Sequence, residues 1–172
     1  MRRLSTATDV LPYTPNTDTI YSGALLDLVD EPIILTVPDI LDRYWSIQVV
    51  DAYTENRIYI GSRKHDGYGG NHAFVGPRFR GQLPDNVVEH RVPYNSLMMA
   101  LRIAVDQNNQ VEDTKKVVEI QNRCTTTSLS NWVEGKIGET SVPESVKAKS
   151  KYPGDPLGNI LKYPINVLLF NN

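Results

Sequence analysis

Cysteine is nearly absent from this chain: Cys124 is the only one in 172 residues. A lone thiol cannot close an intramolecular disulfide, which excludes a disulfide-knit secreted scaffold. It also excludes the multi-cysteine structural zinc sites. Excess charge of one sign is missing too. Twenty Asp and Glu stand against 18 Lys and Arg, for a net charge of −2, so nothing marks a nucleic-acid coat. No apolar run approaches the roughly 20 residues that cross a bilayer. Met1-Arg2-Arg3 leads into polar Ser5-Thr6-Ala7-Thr8-Asp9 and not into the apolar core of a secretory leader. No Gly-x-Ser-x-Gly elbow is present. Asp66-Gly67-Tyr68-Gly69-Gly70 lacks the Gly-Lys-Ser/Thr ending of a phosphate loop and leads into a strand, so it reads as a flexible hairpin connection. Histidine is scarce. His65, His72 and His90 have no His-x-His or His-x-x-x-His spacing, and no metal or other cofactor is expected.

What is present is a folding composition, 40% hydrophobic, in a chain long enough for one real core. The expected setting is cytoplasmic or within an assembled particle. Charge is uneven along the chain. Residues 1–60 carry nine acids and four bases, and residues 61–172 carry eleven acids and fourteen bases. The first segment is thus at −5 and the remainder at +3. Local solvation explains this, and so would a head-to-tail contact between copies.

The first 105 residues read as strands. Segments 19–28, 33–37, 43–50, 57–61, 72–75, 87–92 and 97–105 are rich in β-branched and aromatic residues and are separated by Gly, Pro, Asn and Asp. In 43–50, Trp45, Ile47 and Val49 share one face, with Tyr44, Ser46, Gln48 and Val50 on the other. In 97–105, Leu97, Met99, Leu101, Ile103 and Val105 line one face. Such punctuation predicts a mainly β (α+β) fold, an antiparallel β sandwich or barrel, over alternating βαβ units. One principal helix is expected near 112–124. Glu112 and Asp113 open it, Arg123 closes it, and Val117, Ile120 and Cys124 recur at helical spacing. Thr125-Thr126-Thr127-Ser128 reads as its exit. Cys124 falls on the apolar face at the negative end of the helix, which raises a thiol pKa and makes it core. Residues 1–133 are expected to form the β domain. Residues 134–172 are expected to form a Pro/Gly-rich arm ending in an apolar strand that includes Ile165, Val167, Leu169 and Phe170.

Three stretches together carry a resemblance: 16–28; Glu31 to Asp39 with 42–54; and Ile60-Gly61-Ser62-Arg63 with Gly76-Pro77, Gly81, Pro84 and 101–106. In order and spacing, over roughly residues 10 to 125, they resemble the domain-of-unknown-function family 1254 (DUF1254). Larger members of that family carry a second, C-terminal β domain, usually DUF1214, and many bacterial members look exported. The present chain is expected to be a minimal, single-domain version. Minimal versions of bacterial domains also occur in large viruses, where they can become particle components.

For chemistry, the early strands offer a polar set: Asn16, Asp18, Tyr21, Asp27, Arg43, Gln48, Asp51 and Arg102. Asp18 or Asp51 with Arg43 or Arg102 would serve a small-molecule or metal pocket. The same residues would equally serve a buried ion pair that fixes strand register, and Asn16-Thr17-Asp18-Thr19 would serve as an Asx turn. Arg63, Lys64, Arg78, Arg80 and Arg91, with Tyr68, Phe74 and Phe79, could contact nucleic acid. Asp66, Asp85 and Glu89 offset them, so they read as a solvated rim. Two functions follow as expectations. The first is a structural or interaction module that self-associates or joins a larger protein assembly through Ile165, Val167, Leu169 and Phe170. The alternative is a small-molecule binder or enzyme built on the polar set. Neither nucleic-acid binding nor a membrane span is expected.

Overall fold

Period-two alternation turns one face of a strand to the core and the other to solvent, and most of this chain obeys it. The structure is a computed structural model and describes residues 16–140. In chain order its strands are β1 (Thr19–Asp27), β2 (Ile33–Val37), β3 (Trp45–Asp51), β4 (Asn56–Gly61), β5 (Gly70–Val75), β6 (Val88–Arg91), β7 (Ser96–Ala104) and β8 (Thr125–Ser128). The helices are α1 (Ser62–His65), α2 (Gln110–Arg123), preceded by a 3₁₀ turn over Gln107–Asn109, and α3 (Leu129–Val133). The fold is mainly β, with α2 as its one long helix.

Two four-stranded sheets form a sandwich. The first is antiparallel, in the order β1-β7-β3-β4. It buries Ile20, Ala24 and Leu26 of β1, Trp45, Ile47 and Val49 of β3, and Leu97, Met99, Leu101 and Ile103 of β7. Each such side chain contributes roughly 1.5–3 kcal/mol when taken fully from water. Val50 belongs by alternation to the solvent face but is buried, because the register against β4 shifts between Val49 and Val50.

The second sheet runs β6-β5-β2-β8. Ile33, Leu35, Val37 and Phe74 face the central core. Ile34, Ala73 and Val75 face a smaller cluster with Phe79, Leu83, Val87, Leu129 and Trp132. Both faces are covered, which is why β2 reads as a continuous apolar run. One departure from the expected architecture lies here: β6 runs parallel to β5, pairing His72 with Val88 and Val75 with Arg91. The long connection 76–87 supplies the crossover that parallel strands require.

Thr125–Ser128 does more than leave the helix. It is β8, paired antiparallel with β2. Threonine is β-branched and suits a pleated surface, but only β2 supplies its partner. The turn that follows caps this strand, with Gly138 N–H donating to Thr127 Oγ1 at 2.9 Å and Ser128 N–H to the Glu139 carbonyl at 3.1 Å. Helix α2 packs Val117 into the core, with Ile120 and Cys124 against it. Among the described residues no helix is long and apolar enough to cross a membrane. Residues 141–172, including Ile165, Val167, Leu169 and Phe170, lie outside the described residues, as do 1–15.

Candidate functional site

The outer face of the first sheet is laid out by strand register. Tyr21, Arg102, Ser46 and Gly61 form one row across β1, β7, β3 and β4. Gly23, Ala100, Gln48 and Tyr59 form the next. Small residues at Ser46 and Gly61 sit between long ones, and the step between them leaves a groove of about 470 Å³. Its walls are Tyr44, Gln48, Tyr59, Arg63, Lys64 and Arg102. Gln48 is held by its amide hydrogen bond to Asn56 Oδ1.

The rim depends on a glycine. At Gly61 φ is +145°, and a Cβ there would lie 2.5 Å from the Trp45 carbonyl oxygen. Only glycine lets β4 turn directly into α1 at this point. Ser62 then ties α1 to β3, its Oγ accepting from Trp45 N–H at 3.0 Å. Arg63 and Lys64 are thereby set beside the groove.

Three basic residues, Arg63, Lys64 and Arg102, line this groove, and none has a carboxylate partner among the described residues. Two of them lie over aromatic rings. The Arg102 guanidinium is 5.1 Å from the Tyr21 ring centroid, and that of Arg63 is 5.8 Å from Tyr44. Stacking holds a guanidinium while leaving its in-plane N–H groups available.

Two other hollows among the described residues differ in this respect. A larger one, of about 760 Å³, lies at Pro77, Phe79, Arg80 and Arg91, but its arginines are spent. Arg80 donates to the Pro77 and Phe79 carbonyls, and Arg91 to Phe79 and Glu89. A third, of about 380 Å³, borders Arg43, which is locked between two carboxylates. We therefore place the candidate site at the smaller groove on chemistry and not on size.

Of the polar set read from the sequence, the structure brings Tyr21, Gln48 and Arg102 to this face. The others go elsewhere. Arg43 pairs with Asp42 at 2.9 Å and with Asp113 of α2 at 2.7 Å, not with Asp18 or Asp51. Asp113 also accepts from Asp106 N–H at 2.8 Å. The Arg43 hydrogen bond holds its carboxyl below the usual range against the opposing effect of burial. Asp51 pairs with Arg57 at 2.7 Å and accepts from the Tyr53 and Glu55 N–H groups. Burial pushes its pKa up, but these hydrogen bonds outweigh it and the net shift is downward. It fixes the β3–β4 turn, where Thr54 takes a positive φ of 65°. Asn16 makes an Asx turn, its Oδ1 accepting from Thr19 N–H at 3.3 Å. Asp27 accepts from Val29 N–H at 3.0 Å, and Asp18 is exposed.

A second cluster is one that spacing did not show. His72 Nδ1 lies 3.0 Å from His90 Nε2, and the His65 ring meets His72 edge-on at 5.7 Å. His72 is buried, and its Nε2 has no partner among the described residues. One of the two rings donates in this contact and the other accepts, which neutral imidazoles of complementary tautomer can do. Burial lowers its pKa to about 4, reinforced by His90, His65 and Lys64. Among the described residues no group of three or more His, Cys, Asp or Glu side chains is arranged to hold a metal ion. Phe74 is fully buried and unavailable to stack on a base. Cys124 is pushed up to about 12 by burial, so burial is the cause the structure gives for an inert thiol. The glycine loop is not a flexible connection. A Cβ at Gly69 would meet the Val37 carbonyl at 2.1 Å, and Trp45 Nε1 donates to the Gly67 carbonyl at 3.3 Å.

Two four-stranded sheets with a long helix packed against them place the chain among mixed β sandwiches. The family model for "Protein of unknown function (DUF1254)" matches residues 1–128. The chain belongs to that family. No curated protein matches it. Among solved structures it is similar to the crystal structure of the VPA0106 protein from Vibrio parahaemolyticus. Identity is 29% and the TM-score 0.67, over 84% of this chain and 34% of that one. The chain thus spans about a third of that protein's length.

Proposed function

We propose that this chain is a small-molecule-binding module and that its site is the groove over Ser46. One observation carries the reading: Arg63, Lys64 and Arg102 line a single hollow, and among the described residues no carboxylate pairs with them. Cations left uncompensated around a concavity supply the convergent polar groups of a ligand site. The groove's chemistry is binding chemistry, with hydrogen-bond donors, rings and charge. We assign it no reaction.

The test is thermal shift of the full chain against a metabolite panel, since a ligand that binds only the folded state raises the melting temperature. At least one compound is expected to stabilise the wild type and to lose its effect in Ser46→Trp, which fills the groove from a solvent-facing strand position. A panel without any such Ser46-sensitive compound rejects the reading.

A second reading, self-association or entry into an assembly, rests on the apolar run at 164–170, including Ile165, Val167, Leu169 and Phe170. In it, the arm expected over residues 134–172 begins after the turn at Gly138 and Glu139, which is hydrogen-bonded to β8. Deleting residues 160–172 should then lower the mass measured by light scattering. An unchanged mass removes its support.

A further inference from the structure

We infer that the groove's ligand is a small organic dianion, a phosphate monoester or a dicarboxylate, gripped between Arg102 on one side and Arg63 with Lys64 on the other. The inference rests on the reading of this groove as a ligand site. Register sets the span. Arg102 lies on β7, Ser46 opposite it on β3, and Gly61 opposite Ser46 on β4. Neighbouring strands are spaced about 4.8 Å apart, so the two basic sides stand about 10 Å apart at the backbone. Long cationic side chains reaching inward across that distance can meet on one phosphate or take the two ends of a short diacid.

Charge sets the valence. Among the described residues no carboxylate lines the groove, and three basic residues do. A neutral guest would leave all of them uncompensated, and a monoanion would leave two. Two of the cations are guanidiniums, lying 5.1 and 5.8 Å from the Tyr21 and Tyr44 ring centroids, and a guanidinium is the group that binds oxyanions in bidentate fashion. Ser46, Gln48 and the Tyr59 ring complete the walls, so that neutral donors and an aromatic surface meet the uncharged body of the ligand.

Isothermal titration of the full chain at low salt tests this with phenyl phosphate, glutarate, benzoate and benzyl alcohol as probes. Phenyl phosphate or glutarate is expected to bind at least about tenfold more tightly than benzoate, as one further charge-assisted contact implies. Which of the two binds more tightly distinguishes phosphate monoesters from diacids. Arg102→Gln should weaken the dianion about tenfold, and Lys64→Gln, at an exposed position that tolerates change, should act in the same direction. Ser46→Trp should abolish binding. If neither dianion binds at millimolar concentration, or if Lys64→Gln and Arg102→Gln both bind as well as wild type, the inference is overturned. If benzoate or benzyl alcohol binds as tightly as the dianions and is lost in Ser46→Trp, the dianion class is wrong while the groove remains a ligand site.

Discussion

His72 is a buried imidazole, and its titratable neighbours, His90, His65 and Lys64, are all basic. Protonating it would put a charge away from water, with no acid beside it among these neighbours. Its native pKa is about 4 against 6.5 for the unfolded side chain. Above pH 6.5 both states are neutral and the group has no effect. Between 6.5 and about 4 the unfolded chain takes up a proton that the native chain refuses, so stability falls with pH. The loss is about 3 kcal/mol at most, since a tenfold difference in proton affinity between the two states is worth about 1.4 kcal/mol. The urea midpoint should therefore be flat near neutrality and fall steeply below pH 6.5. His72→Asn, which keeps a hydrogen-bonding group near the Nδ1 position, should flatten that slope, and an unchanged slope would show that other groups dominate. None of this was legible in the sequence. The three histidines lie on α1, β5 and β6, and only sheet pairing and the packing of α1 bring their rings together.

At the scale of elements, two joints hold the architecture. Arg43 bridges the start of β3 to α2 through Asp113, and both side chains are largely buried. Asp113→Asn leaves the guanidinium with exposed Asp42 as its only carboxylate, and it should cost about 3 kcal/mol in chemical denaturation. Glu89→Gln, which breaks the half-exposed pair with Arg91, should change stability by less than about 0.5 kcal/mol. Equal effects would refute the role assigned to Asp113. The second joint is Gly61. Gly61→Ala should cost about 2 kcal/mol, from the positive φ and the approach to the Trp45 carbonyl together. The faces of β3 as far as Val49, and of β7, were readable because burial of one face imposes period two. β8 was not, since Thr125–Ser128 has no apolar face and becomes a strand only because β2 offers an edge. The parallel pairing of β6 was hidden for a similar reason: strand direction depends on the path of the connection 76–87, not on the composition of either strand.

For the whole molecule, the groove draws its charge from the basic remainder of the chain. Arg63, Lys64 and Arg102 all lie beyond residue 60, in the segment that carries the +3 excess. At the scale of the molecule, Ser46→Trp is expected to leave the unfolding midpoint of the ligand-free protein nearly unchanged, because Ser46 is only half-buried on the outer face. A large drop in the urea midpoint would mean that the groove is packed structure and not an open site. The sequence by itself determined the β architecture, the principal helix, the buried faces of β3 and β7, and the family. Each follows from local periodicity or from an ordered set of residues along the chain. The tertiary structure alone decided which cations are spent and which are left over. Arg43, Arg57 and Arg91 are alike in sequence to Arg63 and Arg102, each a base among nearby acids. Whether a carboxylate reaches a guanidinium depends on which strand, at which register, passes beside it, and only the assembled sheets set that.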